Sequence, residues 1–287
     1  MRKIAIVTDS NSGISQACAE ELGVFVLPMP FTIDGGEYFE GINLTVDDFY
    51  EKLENDSDIF TSQPAPEEVT KLWDYILKEY DEIVHIPMSS GLSGACQTAW
   101  MLSQEYGGKV QVVDNQRISA TLRQSVLDAI ELVKRNKTAK EIKEILEKDK
   151  LNSSIYIMVD TLKYLKKGGR ITPSAAALGT LLKIKPVLQI QGEKLDSFAK
   201  ARTASQARSI MVNAMKNDET NRFNNNIHLA IAHSNNLEMA LAFKEELKSI
   251  FHESDIHVDN LSLSISCHIG SGSLGVACCQ KMDYDNV

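Results

Sequence analysis

Short apolar runs alternate with stretches whose apolar residues recur every three or four positions. Ile4–Val7, Val24–Leu27, Ile83–Ile86 and Val110–Val113 read as buried strands. Between and after them, Ile14, Ala17, Cys18 and Leu22 mark one helical face, and Val46, Phe49, Tyr50 and Leu53 another, opened by Thr45 with Asp48 three residues on. Pro66, followed by Glu67 and Glu68, starts a helix with Val69, Leu72, Trp73, Ile76 and Leu77 on its apolar side. Ala95, Ala99 and Leu102 set a helix over Ala95–Tyr106, a further one runs from about Ser119 to Lys134, and Thr138 with Glu141 caps the next, to about Lys148. Strands alternating with helices predict a parallel four-stranded sheet with right-handed crossovers. Two extended pieces, Phe31–Ile33 and Glu37–Phe39, flank the turn Asp34-Gly35-Gly36, and the prolines of Phe60–Pro66 predict irregular chain before the helix.

The pattern changes after Lys150. A strand over Ser154–Val159 runs into a polar loop, Asp160–Ile171, and Thr172-Pro173 opens a helix of small side chains reaching Leu182. Lys185–Ile190 and Leu195–Lys200 predict a hairpin across Gln191–Lys194. Thr203 and Gln206 cap a helix to about Lys216; a strand over Ile227–His233, a helix over Asn235–Ile250 and a strand region over Ile256–Ile265 follow. A Gly/Ser-rich loop, Ser266–Gly275, leads to a last strand, Val276–Gln280. The fold class expected is α/β in two domains, 1–152 with a four-stranded parallel sheet covered on both faces and 153–287 with a mixed sheet, with a ligand cleft between them.

Composition narrows the function. Thirty basic against thirty-nine acidic residues leave a net charge of −9, which argues against nucleic-acid or anionic-membrane partners. Ile4–Val7 is too short for a signal-peptide core and no apolar run nears the ~20 residues of a membrane helix. Five cysteines without a C-x-x-C pair read as reduced thiols of a cytoplasmic protein, with no metal site.

Polar loops recur where strands end. Ser89-Ser90-Gly91-Leu92-Ser93-Gly94 lies between a strand and a helix, where free N–H groups and hydroxyls hold an anion or merely cap the helix. Thr61-Ser62-Gln63-Pro64 offers hydroxyls on a rigid turn, or again a cap region. Gly168-Gly169-Arg170 ends in a permanent cation suited to a carboxylate or to a structural ion pair. His268 in its Gly/Ser loop is a hydrogen-bond donor or a structural histidine; His228, His233, His252 and His257 read as strand-end or surface residues. The small-residue helix over Pro173–Leu182 walls an apolar tunnel or packs closely on a sheet. Neither a G-x-S-x-G elbow nor a phosphate-binding glycine pattern is present, although a Ser93–His268 dyad stays open.

Taken in order, Thr8-Asp9-Ser10, Thr61-Ser62-Gln63-Pro64, Ser89–Gly94, the run from Asp160-Thr161-Leu162 to Gly168-Gly169-Arg170-Ile171, and His268-Ile269-Gly270 resemble the DegV family over essentially the whole chain. The resemblance implies two α/β domains and a long-chain fatty acid, such as palmitate, stearate or oleate, in an interdomain tunnel. It also implies a non-catalytic, cofactor-free protein that presents the carboxylate to a partner fatty-acid kinase, the acyl phosphate going on to phospholipid synthesis. The family's carboxylate hydroxyls fall on Thr61 and Ser93, supported by Arg170 and His268, with Ser62, Gly94 and Ile269 completing the expected site. The chain departs from the family's pattern at Asn11–Ser15, at Ala95-Cys96-Gln97 and at Ser271. Two other readings are a serine esterase or acyltransferase using Ser93 and His268, and a sugar- or ketone-binding relative of dihydroxyacetone kinases. Lys200 and Arg202, near the hairpin exit, are expected to meet a partner protein.

Overall fold

The computed structural model describes residues 2–55, 57–177, 184–251 and 255–287, so His252 and the 178–182 end of the small-residue helix lie outside the described residues. Contacts divide the chain into Met1–Lys150 with Met282–Val287, and Leu151–Lys281.

In the first unit the strands are β1 (Ile4–Asp9), β2 (Phe25–Leu27), β3 (Pro30–Ile33), β4 (Gly36–Phe39), β5 (Ile59–Thr61), β6 (Glu82–Ile86) and β7 (Val110–Val112). Its helices are α1 (Gln16–Leu22), α2 (Val46–Glu54), α3 (Pro66–Ile76), α4 (Ala95–Ser103), α5 (Ser119–Lys134) and α6 (Ala139–Lys148). The main sheet runs β2-β1-β6-β7, every neighbour parallel. Ala5, Val7, Ile83, Val110 and Val112 point to one face and pack with Val69, Trp73 and Ile76 of α3 and Cys96 and Ala99 of α4. The intervening Ile6, Val84 and Ile86 are equally buried on the other face, the consequence of a period of two in a sheet covered on both sides.

A second, antiparallel sheet, β4-β3-β5, was not foreseen in full: Ile59–Thr61 pairs with β3, Thr61 opposite Phe31. The prolines act only downstream, because Pro64 and Pro66 follow the last ladder residue. The chain's last residues, assigned from the sequence to the second domain, pack on the first unit: Tyr284 donates to buried Asp128 (2.8 Å) and Arg135 pairs with Asp285 (2.6 Å).

In the second unit the strands are β8 (Ser153–Met158), β9 (Lys185–Ile190), β10 (Asp196–Ala201), β11 (Ile227–His233), β12 (His257–Asn260) and β13 (Leu274–Gln280), in the order β10-β9-β8-β13-β11-β12. Only β11–β12 is parallel, so the sheet is mixed as expected. Its helices are α7 (Lys163–Gly168), α8 (Pro173–Ala177), α9 (Ala204–Asn221), α10 (Leu237–Phe251) and α11 (Leu263–Ile269). One face holds Tyr156, Met158, Ile231, Val276 and Cys278 against Met211 and Met215 of α9 and Phe243 and Leu247 of α10. The opposite face holds Ile157, Val159, Leu188 and Ala232 against Leu165 of α7, Ala175 of α8 and Ile269 of α11.

Helices α7 and α11 replace expected loop and strand. Leu261, Leu263 and Ile265 alternate like a strand, but Ser262 accepts from Ile265 N–H (3.3 Å) and caps a helix that buries Leu263, Ser266, Cys267 and Ile269. Among the described residues no His/Cys/Asp/Glu group has metal-site geometry. No helix among the described residues is long and apolar enough to cross a membrane.

Candidate functional site

In the first unit the site is built on the exit of β6. Pro87 ends the strand, and the chain then turns over Ser89, whose carbonyl accepts from Leu92 N–H (3.0 Å) and Ser93 N–H (3.2 Å). Ser89 Oγ accepts from Gly91 N–H (3.2 Å), and Ser89 N–H donates to Arg117 O (2.9 Å), which ties the turn to the chain before α5. Ser93 Oγ accepts from Ala95 N–H (3.2 Å) at the start of α4, and its own proton is kept for a donor role. Gly94, in α4's N-cap position, has helical backbone angles and no side-chain cap. The α4 start therefore presents N–H groups and the positive end of its dipole on the same side as a hydroxyl.

The second strand end brings Thr61 and Ser62 to the same neighbourhood. Ser62 N–H donates to Pro30 O (3.2 Å), fixing the exit of β5; Thr61 is half-buried and Ser62 exposed. Gln63 joins this turn to α4: its Oε1 accepts from Thr98 Oγ1 (3.2 Å) and lies 3.0 Å from where a β-carbon on Gly94 would stand. Thr61, Ser62, Ser93 and Gly94 thus belong to two adjoining loops of one unit. Behind them Asp9, at the end of β1, accepts from Met88 N–H (2.7 Å) and Asn11 N–H (2.9 Å). Burial raises its pKa to about 6 against the lowering effect of those N–H groups.

Arg170, His268 and Ile269 belong to the second unit. α7 ends at Gly169 in the left-handed region (φ 67°), and the exposed Arg170 guanidinium donates to Gly168 O. His268, in the last turn of α11, lays its imidazole against Gly168; a β-carbon there would stand 2.2 Å from Nδ1. Burial first, and then the Arg170 cation, push the His268 pKa down to about 4, so the ring is neutral at neutral pH and carries one N–H. Arg170 and His268 are therefore brought together through Gly168. Ile269 is 3% exposed and lies within the apolar cluster with Val159, Leu165 and Leu188. Cys267 is an inert thiol, pushed up to about 11 by burial.

Sequence reasoning passed over Asp9 as a loop anchor, Gln63 as a link and Gly168 as the seat of His268. A strand-terminal Asp before a tight turn, and a glycine pair before Arg170, were the available signals.

A parallel-sheet unit and a mixed-sheet unit, with hydroxyls at a helix start in one and a cation beside a neutral imidazole in the other, define a two-unit α/β protein with groups suited to a small anion. The chain belongs to the DegV family, whose profile, described as uncharacterised proteins, matches residues 3–281. A DegV domain-containing protein of Staphylococcus aureus is 34% identical over 98% of this chain and 100% of its own. Among solved structures, one on fatty-acid binding by a DegV family protein of Thermus thermophilus is 31% identical, with TM-score 0.90, covering 98% of this chain and 100% of that one. Another, of DegV of Bacillus subtilis, described as a fatty acid binding protein, is 29% identical with TM-score 0.87 over 98% and 100%.

Proposed function

We propose that this chain binds a long-chain fatty acid such as palmitate, stearate or oleate, holds its carboxylate with Thr61 and Ser93, and presents it to a kinase. The observation that carries this reading is the end-to-end likeness to the Thermus thermophilus protein, whose structure is described by its fatty-acid binding. The local chemistry supports it. A carboxylate needs donors that are fixed before it arrives, and Ser93 Oγ is oriented by Ala95 N–H at the start of α4. In this reading Ser62 and the Gly94 N–H lie beside the head group, Arg170 supplies charge, neutral His268 supplies one N–H, and Ile269 borders the acyl chain.

No group need attack the ligand, so the role is non-catalytic: the kinase supplies the phosphoryl group, and the acyl phosphate passes to phospholipid synthesis. Lys200 and Arg202, both exposed, are the basic residues assigned to the kinase contact. Five cysteines without a C-x-x-C pair suit a cytoplasmic setting.

The deciding experiment is mass spectrometry of an organic extract of gently purified protein. Roughly stoichiometric fatty acid is expected; an apo protein that also refuses added palmitate and oleate overturns the reading. Turnover of a model acyl ester that disappears in Ser93→Ala would replace it with an esterase.

A further inference from the structure

Asp9 is a buried carboxylate at the end of β1, 1% exposed, and it forms no salt bridge among the described residues. Both of its oxygens are used: Oδ1 accepts from Asn11 N–H (2.9 Å) and Oδ2 from Met88 N–H (2.7 Å). Met88 is the first residue after the proline that ends β6, and the turn it opens carries Ser93. A second contact follows the same line, Asn11 Nδ2 donating to Met88 Sδ (3.0 Å). One carboxylate therefore clamps two chain segments that are 79 residues apart in sequence.

We propose that Asp9 is the positioning residue of the head-group turn: its ionised carboxylate holds Met88, and through it Ser93, in the geometry that receives a fatty-acid carboxylate. This rests on the fatty-acid reading above. An anion has no oppositely charged side chain to gain from here, and a neutral residue would be cheaper to bury. What an ionised carboxylate supplies and its protonated form does not is a charged, strong acceptor on both oxygens, here for the two N–H groups and the Asn11 side chain. A proton on either oxygen removes the charge and leaves that oxygen a weak hydroxyl acceptor, and the clamp slackens on that side. Burial places that event near pH 6.

The surroundings leave this titration to Asp9. His85 of β6 lines a water-sized cavity together with Asp9 and is held neutral, its pKa pushed down to about 3 by burial. Cys96 of α4 is pushed up to about 12, chiefly by burial, with Asp114, Glu147, Lys143 and Asp9 acting on it more weakly. On α5, Arg123 directs its guanidinium to Cys18 Sγ (3.6 Å). Leu27 of β2 and Val69 of α3, which close the cavity, carry no charge.

The test is the rate at which the full chain, loaded with labelled oleate, loses it to phosphatidylcholine vesicles between pH 7.5 and 5, for wild type, Asp9→Asn and Ser93→Ala, with circular dichroism confirming that each is folded. Wild type is expected to lose oleate about tenfold faster below a step near pH 6. Asp9→Asn should be fast at every pH, without the step. A wild-type profile flat across that range overturns the proposal, as does an Asp9→Asn protein that keeps both the slow rate and the step. If Asp9→Asn does not fold, a flat wild-type profile still overturns the proposal, and Asn11→Ala, which removes the side-chain contact to Met88, takes the variant's place with faster loss expected. Should Ser93→Ala retain oleate like wild type, the carboxylate site itself is misplaced; should only Asp9→Asn do so, Asp9 alone is.

Discussion

At Gly168 a hydrogen atom is the largest side chain that fits, since a β-carbon would stand 2.2 Å from Nδ1 and 2.9 Å from Cε1 of His268. Gly168→Ala should therefore displace the imidazole without unfolding the unit, because α7 is ending there and its backbone is helical. The expected result is oleate loss accelerated by roughly threefold or more, about the loss of one weak hydrogen bond, with a shifted His268 resonance by NMR. Ser93→Ala should act more strongly: a bond to a charged carboxylate contributes about 1.5–3 kcal/mol, so affinity should fall about tenfold to a hundredfold in an oleate titration. His85 makes a different case. Both ring nitrogens are buried without a hydrogen-bond partner, and its ring meets Trp73 edge to face at 5.5 Å. Its pKa is depressed, so the unfolded chain takes a proton that the folded one refuses from about pH 6.5 down to about 3, and stability falls with pH across that window. Asp9 works the other way between about 6 and 3.8, and so does Asp128, whose pKa burial also raises, so replacing His85 isolates the histidine's part. Both tryptophans, Trp73 and Trp100, lie in that unit, so their fluorescence reads it alone. His85→Phe should raise its melting midpoint by about 1 kcal/mol equivalent and flatten its decline between pH 6.5 and 4. Of these residues, Ser93's place beside a helix start was legible from the sequence. His85 and Gly168 were not, because what defines them is contact with residues far away in sequence.

Among the elements, helices with a cap and a sustained apolar period were readable. Thr138 accepts from Glu141 N–H while Glu141 accepts from Thr138 N–H (2.8 Å), and α5 spans the expected Ser119–Lys134. The failures are short. α7 and α11 are too brief for a period of 3.6 to declare itself, and β5 borrows its partner, β3, from across a helix. α11 depends on one buried cap. Ser262→Ala should cost about 1 kcal/mol and loosen the turn that carries His268, measurable as faster amide exchange from Ile265 to His268.

At the scale of the molecule, the two larger sheets were legible from short apolar runs, and the carboxy-terminal strap was not, since Met282–Val287 has no apolar pattern to announce its place. Tyr284 donates to Asp128 Oδ1 (2.8 Å), and Gln124 Nε2 donates to the same oxygen (2.8 Å). Tyr284→Phe removes one of two donors to a buried carboxyl whose pKa burial already raises, and tryptophan fluorescence in urea should show the first unit weakened by about 1–2 kcal/mol. The strap also sets an order of events during synthesis. Residues 282–287 leave the ribosome only after all of Leu151–Lys281, so the unit begun first is finished last. Until then Asp128 waits on a growing chain without its tyrosine, and the first unit of a nascent chain is less stable than the same unit in the finished protein.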